Sequence, residues 1–202
     1  ALDADGAIDQ SGFDTVFNGN TTYAGELTID TKFFDRPGHQ LFGFAAGTKD
    51  YFSVAQDPRV LVPAFDVTPS VEDGSWAFYY NFDQFLVHDP ADATQGLGLF
   101  GRFGITDGDA NYVHRFYSIG LGGTGLIPGR DRDRLGVGYY YLELSDNRLG
   151  LLTDDSEQGV EVFYNLALTP WFELTADLQA VDGAGRFSDT AIIGGLRGRI
   201  AF

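Results

Sequence analysis

A chain of 202 residues with no Cys leaves room for one large domain or two small ones, and for neither a disulfide framework nor a thiolate metal site. Its formal net charge of −16 argues against a nucleic-acid binder, because neutralising phosphates takes clustered Lys and Arg. No run of about 18 apolar residues exists, so no transmembrane helix is available, while 15% aromatic residues and 27 Gly are the usage of a β-rich chain with tight turns.

Residues 1–20 are rich in Asp, Gly, Asn and Thr without a sustained period, and read as an extracellular loop or a processed start. No initiator Met or signal peptide is in view, so Ala1 reads as an internal start. From 21 to 34 the odd positions Tyr23, Leu27, Ile29 and Phe33 are apolar, against Glu26, Thr28, Asp30 and Lys32; this period of two predicts a strand. Asp35-Arg36-Pro37-Gly38 predicts a tight turn. A second strand is predicted over 39–48, with Phe42 and Phe44 on the apolar side, before a long irregular stretch at 49–74. Trp76, Phe78, Tyr80 and Phe82 mark the next strand at 75–87, opposed by Tyr79, Asn81 and Asp83.

Leu97, Leu99, Phe103 and Ile105 oppose Phe100 and Arg102 over 95–105, and Tyr117, Ile119 and Leu121 oppose Ser118, Gly120 and Gly122 over 112–125. Leu135, Val137, Tyr139 and Tyr141 oppose Gly136, Gly138 and Tyr140 over 134–143. An acidic loop at 145–156 precedes a strand at 157–168 with Val160, Val162, Tyr164 and Leu166 against Glu161, Phe163 and Asn165. Thr169-Pro170 reads as the shortest connection, followed by Phe172, Leu174, Ala176 and Leu178 against Glu173, Thr175, Asp177 and Gln179. The last strand, 192–202, sets Ile192, Leu196, Ile200 and Phe202 against Arg197 and Arg199.

About nine strands of roughly ten residues suit a bilayer core of about 30 Å. Connections at 49–74, 106–111, 145–156 and 183–189 alternate with shorter ones at 35–38, 89–94, 126–132 and 169–170. That asymmetry is the one shown by outer-membrane barrels, long loops outside and short turns in the periplasm. The predicted fold is therefore all-β, a transmembrane antiparallel up-and-down β-barrel spanning 21–202. The soluble alternative is a β-sandwich binding module, in which the apolar face turns inward. Tyr, Trp and Phe near strand ends, and a second face of Gly and isolated charges, favour the membrane.

Several motifs carry a resemblance. Leu121-Gly122-Gly123-Thr124-Gly125-Leu126-Ile127-Pro128-Gly129-Arg130 runs into Asp133-Arg134-Leu135-Gly136-Val137-Gly138-Tyr139-Tyr140. Trp76-Ala77-Phe78-Tyr79-Tyr80-Asn81-Phe82-Asp83-Gln84 precedes it, and Glu157-Gln158-Gly159-Val160-Glu161 and Asn165-Leu166-Ala167-Leu168-Thr169-Pro170-Trp171 follow. In that order they resemble the C-terminal half of the carbohydrate-selective porin (OprB) family, over about 21–202. The resemblance implies a barrel of about sixteen strands in the outer membrane of a Gram-negative bacterium, with passive diffusion of sugars and other small hydrophilic solutes. Missing N-terminal strands or a second chain would close it. Lipid and lipopolysaccharide would surround it, and the C-terminal strand ending in Phe202 would meet the outer-membrane assembly machinery.

A sugar pore needs donors, acceptors and flat aromatic faces in a wet lumen. By parity the candidates are Glu26, Asn81, Asp83, Arg102, Glu161, Phe163, Asn165, Glu173, Asp177, Gln179, Arg197 and Arg199. Placing Val181 opposite Ala191 sets Glu173 against Arg199 and Thr175 against Arg197, with Asp177 diagonal to Arg197. Most such residues would simply solvate the lumen and brace its wall. No enzyme is predicted: His39, His88 and His114 stand near strand ends, Gly-x-Ser-x-Gly is absent, and His114 and Ser118 lie about 13 Å apart along one strand. No cofactor is predicted, and Asp3-Ala4-Asp5, Asp107-Gly108-Asp109 and Asp154-Asp155 lack the calcium-loop pattern. A structural or adhesive barrel without an open pore remains the other membrane reading.

Overall fold

Each segment with a two-residue period forms a strand. A computed structural model describes residues 20–92, 94–146, 154–185 and 189–201. The strands are β1 (Thr22–Phe33), β2 (Arg36–Phe52), β3 (Val71–His88), β4 (Gly96–Thr106), β5 (Val113–Thr124), β6 (Arg134–Leu144), β7 (Ser156–Ala167), β8 (Phe172–Asp182) and β9 (Ala191–Ile200). They pair in sequence order as one antiparallel sheet, β1 to β9, and no ladder among the described residues joins β9 back to β1. The expectations for residues 1–19, for 147–153 and for Phe202 fall outside the described residues.

Two boundaries differ from expectation. β2 runs 17 residues and β3 runs 18, so the irregular stretch shrinks to 53–70 and carries two short 3-10 turns. Gly43, Ala45, Ala46 and Gly47 offer little hydropathy contrast, but pairing on both sides keeps this part of β2 extended. The first turn is Phe34-Asp35, with φ of 53° and 61°, not the predicted 35–38. Two positive φ values match the twist of a tight hairpin. Pro37 then pairs with Lys32 just beyond the β2–β3 ladder, which begins at Gly38, so its missing N–H costs no bond to β3. This turn, and not Thr169-Pro170, is the shortest connection. The loop asymmetry holds for 53–70 and 145–155 but not throughout, because 125–133 is longer than 107–112.

The apolar face has no partner layer. Val54 is the only buried hydrophobic side chain among the described residues, while Val137, Val162, Leu178 and Leu196 in mid-strand are 43%, 53%, 58% and 74% exposed. The chain exposes 13459 Å², where a compact protein of this mass exposes roughly 9,300 Å². A sandwich would cover this face with a second sheet, and none is present among the described residues. Cross-strand register instead aligns Phe42, Tyr80, Phe103, Tyr117 and Tyr141 as an aromatic row across five strands on that same face. Rings in this row meet at 4.9 Å (Phe42 and Tyr80) and 5.3 Å (Phe103 and Tyr117).

The two ends of the sheet are fastened differently. At the end with 53–70, the loops are stitched by Val54 N–H to Asp109 O at 2.7 Å, Asn111 Nδ2 to Ser75 Oγ at 2.8 Å and Ser145 N–H to Tyr112 O at 2.9 Å. At the other end, buried Asp133 accepts hydrogen bonds from Arg130 Nε at 2.6 Å, Ala167 N–H at 2.9 Å and the Tyr164 hydroxyl. It thereby ties the 125–133 turn to the end of β7. Burial pushes this carboxyl up, but the Tyr164 hydroxyl, the Ala167 N–H and the Arg130 guanidinium outweigh it and hold it below the usual carboxylate range. A depressed pKa contributes stability above the unfolded value of about 3.9, lost as pH falls through the folded value. Asp133→Ala is therefore expected to cost about 1–3 kcal/mol at pH 7 and clearly less at pH 3, as read by urea unfolding. An equal cost at both pH values would contradict the charged latch.

Candidate pore wall

Register decides which side chains meet on the face opposite the aromatic row. One line across the sheet runs His39, Asp83, Phe100, Gly120, Gly138, Glu161 and Gln179. A second runs Thr28, Leu41, Asn81, Arg102, Ser118 and Tyr140. On the far strands Phe163 stands opposite Asp177, Asn165 opposite Thr175, Thr175 opposite Arg197 and Glu173 opposite Arg199. The C-terminal hairpin has the expected register, with Val181 opposite Ala191.

Two depressions open on this face. One, of about 620 Å³, is lined by Phe100, Arg134, Gly138, Glu161, Phe163, Asn165, Glu173, Thr175, Asp177, Gln179, Arg197 and Arg199. The other, of about 450 Å³, is lined by Thr28, His39, Leu41, Asn81, Phe82, Asp83, Phe100, Gly101, Arg102 and Ser118. Phe100 borders both. The predicted candidates therefore divide: eight stand together in the first depression and Asn81, Asp83 and Arg102 in the second. Glu26 lines neither and instead accepts a hydrogen bond from the Tyr79 hydroxyl.

The charges in the first depression balance, three Arg (134, 197, 199) against three carboxylates (161, 173, 177), in a chain of net charge −16. Glu173 lies between two of the cations, with Arg134 at 3.4 Å and Arg199 at 3.8 Å. Asp177 takes a hydrogen bond from Gln179 Nε2 at 3.2 Å. Asn165 is 7% exposed and donates to Thr175 Oγ1 at 2.8 Å, so it braces the wall more than it presents a free amide. In the second depression Arg102 Nε donates to Asn81 Oδ1 at 2.7 Å, and His39 Nδ1 lies 2.9 Å from Asp83. Ser118 borders that depression too, but β2 and β5 are three strand spacings apart, about 14 Å, so it is beyond hydrogen-bond reach of His39. Among the described residues no three His, Asp or Glu side chains gather as a metal site.

Sequence reasoning missed Arg134 and Phe100 as candidates, while Thr175 stands opposite Arg197 as expected. The signal was present, since each has the parity of its strand's polar face. Arg134 was passed over because it opens its strand, where a turn residue and a wall residue look alike.

Residues 3–202 match the family described as "Carbohydrate-selective porin, OprB family". The chain belongs to that family. It is 24% identical over 132 residues to Porin B of Pseudomonas aeruginosa, a match covering 55% of this chain and 29% of that protein. In fold it is similar to the high-pH structure of Pseudomonas putida OprB, with a TM-score of 0.81 and 20% identity over 96% of this chain and 51% of that one. The low-pH structure of the same porin gives a TM-score of 0.64 at 17% identity, over 92% of this chain and 48% of that one. The chain thus spans about half the length of these solved porins, and its nine-stranded open sheet corresponds to part of a porin barrel. Membership in this porin family places it in the outer membrane of a Gram-negative bacterium.

Proposed function

We propose that this chain forms about half the wall of an outer-membrane pore for passive diffusion of sugars and other small hydrophilic solutes. One observation carries the reading. The larger depression on the wall facing away from the aromatic row is rich in donors and acceptors yet balanced in charge, although the whole chain is strongly acidic. A neutral, hydrogen-bonding wall favours neutral polyhydroxy solutes, whereas a single-sign wall would focus ions. The site residues in this reading are Arg102, Asn81 and Asp83 in one depression, and Glu161, Phe163, Asn165, Glu173, Asp177, Gln179, Arg197 and Arg199 with Arg134 in the other. Their work is exchange of hydrogen bonds, with no chemical step and no cofactor.

The wider arrangement belongs to the same proposal. Residues 21–202 form the C-terminal part of a barrel of about sixteen strands. The loops 53–70 and 145–155 face the cell exterior and its lipopolysaccharide. The last strand meets the assembly machinery, and further strands from the same or a second polypeptide close the wall.

Planar-bilayer conductance and liposome swelling with a sugar panel, on the complete pore, test this. Arg197→Ala is expected to change sugar flux or ion selectivity more than heat resistance, because Arg197 stands opposite Thr175 on a hydrated wall, where even an ion pair contributes only about 0–1 kcal/mol of stability. Unchanged flux with a large loss of stability would assign Arg197 to bracing the wall. A folded, membrane-inserted protein with no conductance would favour the structural or adhesive barrel.

A further inference from the structure

Six aromatic residues on the pore side of this sheet each have a glycine directly across the ladder. The pairs are Tyr79 with Gly43, Phe85 with Gly98, Phe100 with Gly120, Phe116 with Gly104, Tyr140 with Gly159 and Phe163 with Gly136. In four of them the ring lies down over the glycine. A β-carbon at Gly136 would come within 2.7 Å of the Phe163 ring and one at Gly159 within 2.5 Å of the Tyr140 ring. A β-carbon at Gly43 or Gly120 would fall against the rings of Tyr79 and Phe100 as closely or more so. Phe116 instead stacks on Tyr140, with centroids 6.3 Å apart and planes at 15°. The two tyrosines are held down at their far ends. Tyr79 crosses β2 to donate to Glu26 on β1, and Tyr140 reaches onto the neighbouring β7 to donate to Glu157 Oε1 at 2.9 Å.

We propose that Gly43, Gly120, Gly136 and Gly159 determine which sugars pass, by letting four rings lie flat along the pore wall instead of standing into the bore. The inference rests on the porin reading above. A ring on its side takes little of the cross-section and turns a π-face toward the lumen. That face offers stacking area to the apolar side of a pyranose, while Arg197, Glu161 and their neighbours meet its hydroxyls. A glycine is needed opposite because any β-carbon there occupies the space of the ring, and the ring's remaining staggered positions turn it off the wall. The glycines are therefore bore-setting residues although they touch no solute.

Gly136 and Gly159 are the sites to substitute, since the nearest atoms to a new β-carbon there belong to the rings. At Gly120 the backbone oxygen of Val137, at 2.8 Å, would confuse the result. In the complete, bilayer-inserted porin, Gly136→Val and Gly159→Val are each expected to lower single-channel conductance about twofold. Swelling rates should fall more for a disaccharide than for a monosaccharide. Adding Phe163→Ala to Gly136→Val, or Tyr140→Ala to Gly159→Val, should return conductance to at least the wild-type level. Should the glycine variants not fold, Phe163→Ala alone is expected to weaken discrimination between the two sugar sizes. Folded glycine variants with wild-type conductance and size dependence would overturn the proposal. So would ring deletions that fail to rescue them, or a Phe163→Ala pore with unchanged discrimination. A wild-type protein that inserts and does not conduct would instead overturn the porin reading itself.

Discussion

Val162→Arg is expected to lower the stability of the bilayer-inserted protein by about 2–4 kcal/mol, the cost of a guanidinium at mid-membrane on a barrel's lipid face. Val162 lies in the middle of β7, between Val137 on β6 and Leu178 on β8. All three side chains are exposed on the sheet's uncovered face. On a water-facing surface the same exposure would make the substitution nearly neutral, within about 0.5 kcal/mol. Urea titration of the protein in lipid bilayers reads the difference. Gln179→Arg, on the opposite face one position along β8, is the matched control and should cost far less. Equal, small effects at both positions would show that the apolar face does not meet lipid.

The 202-residue chain on its own is expected to give no discrete channel. Among the described residues its sheet ends at β1 on one side and β9 on the other, and no ladder covers the outer edge of either strand. In hydrocarbon each unsatisfied group costs several kcal/mol, so open sheets do not span membranes. Nine is also an odd number for a bacterial single-chain barrel. Planar-bilayer recording should show no steps for this chain and regular steps once the remaining strands are supplied. A 22.0 kDa monomer that conducts would mean the sheet closes on itself in lipid.

Much of this fold was legible because hydropathy contrast was strong where it mattered. From β3 to β9 the apolar parity of each strand could be read residue by residue, and it agrees with the pairing. The C-terminal hairpin could even be registered, since Glu173, Thr175, Arg197 and Arg199 have few alternative partners. The ends of β2 and β3 were not legible: small residues from Gly43 to Gly47 give no contrast, and what holds them extended is the neighbour on each side. The Phe34-Asp35 turn was hidden for a related reason. Pro37-Gly38 looks like a turn locally, yet the ladder to β1 takes those residues into the strand.

The candidate wall was legible as a face but not as a surface. A backbone period of two is a local property, so the sequence by itself determined that Glu161, Phe163 and Asn165 share a side with one another and oppose Val160 and Val162. It did not say that Arg134, on β6, would reach Glu173, on β8, across an intervening strand. Nor did it say that Asn165 would be taken up by Thr175, or that Asp133 would collect three donors, one from its own turn and two from β7. Those outcomes depend on rotamers, and a rotamer is selected by what stands across the ladder. Only the assembled sheet placed a glycine opposite each inward ring, and so only the tertiary structure decided that four of those rings lie against the wall.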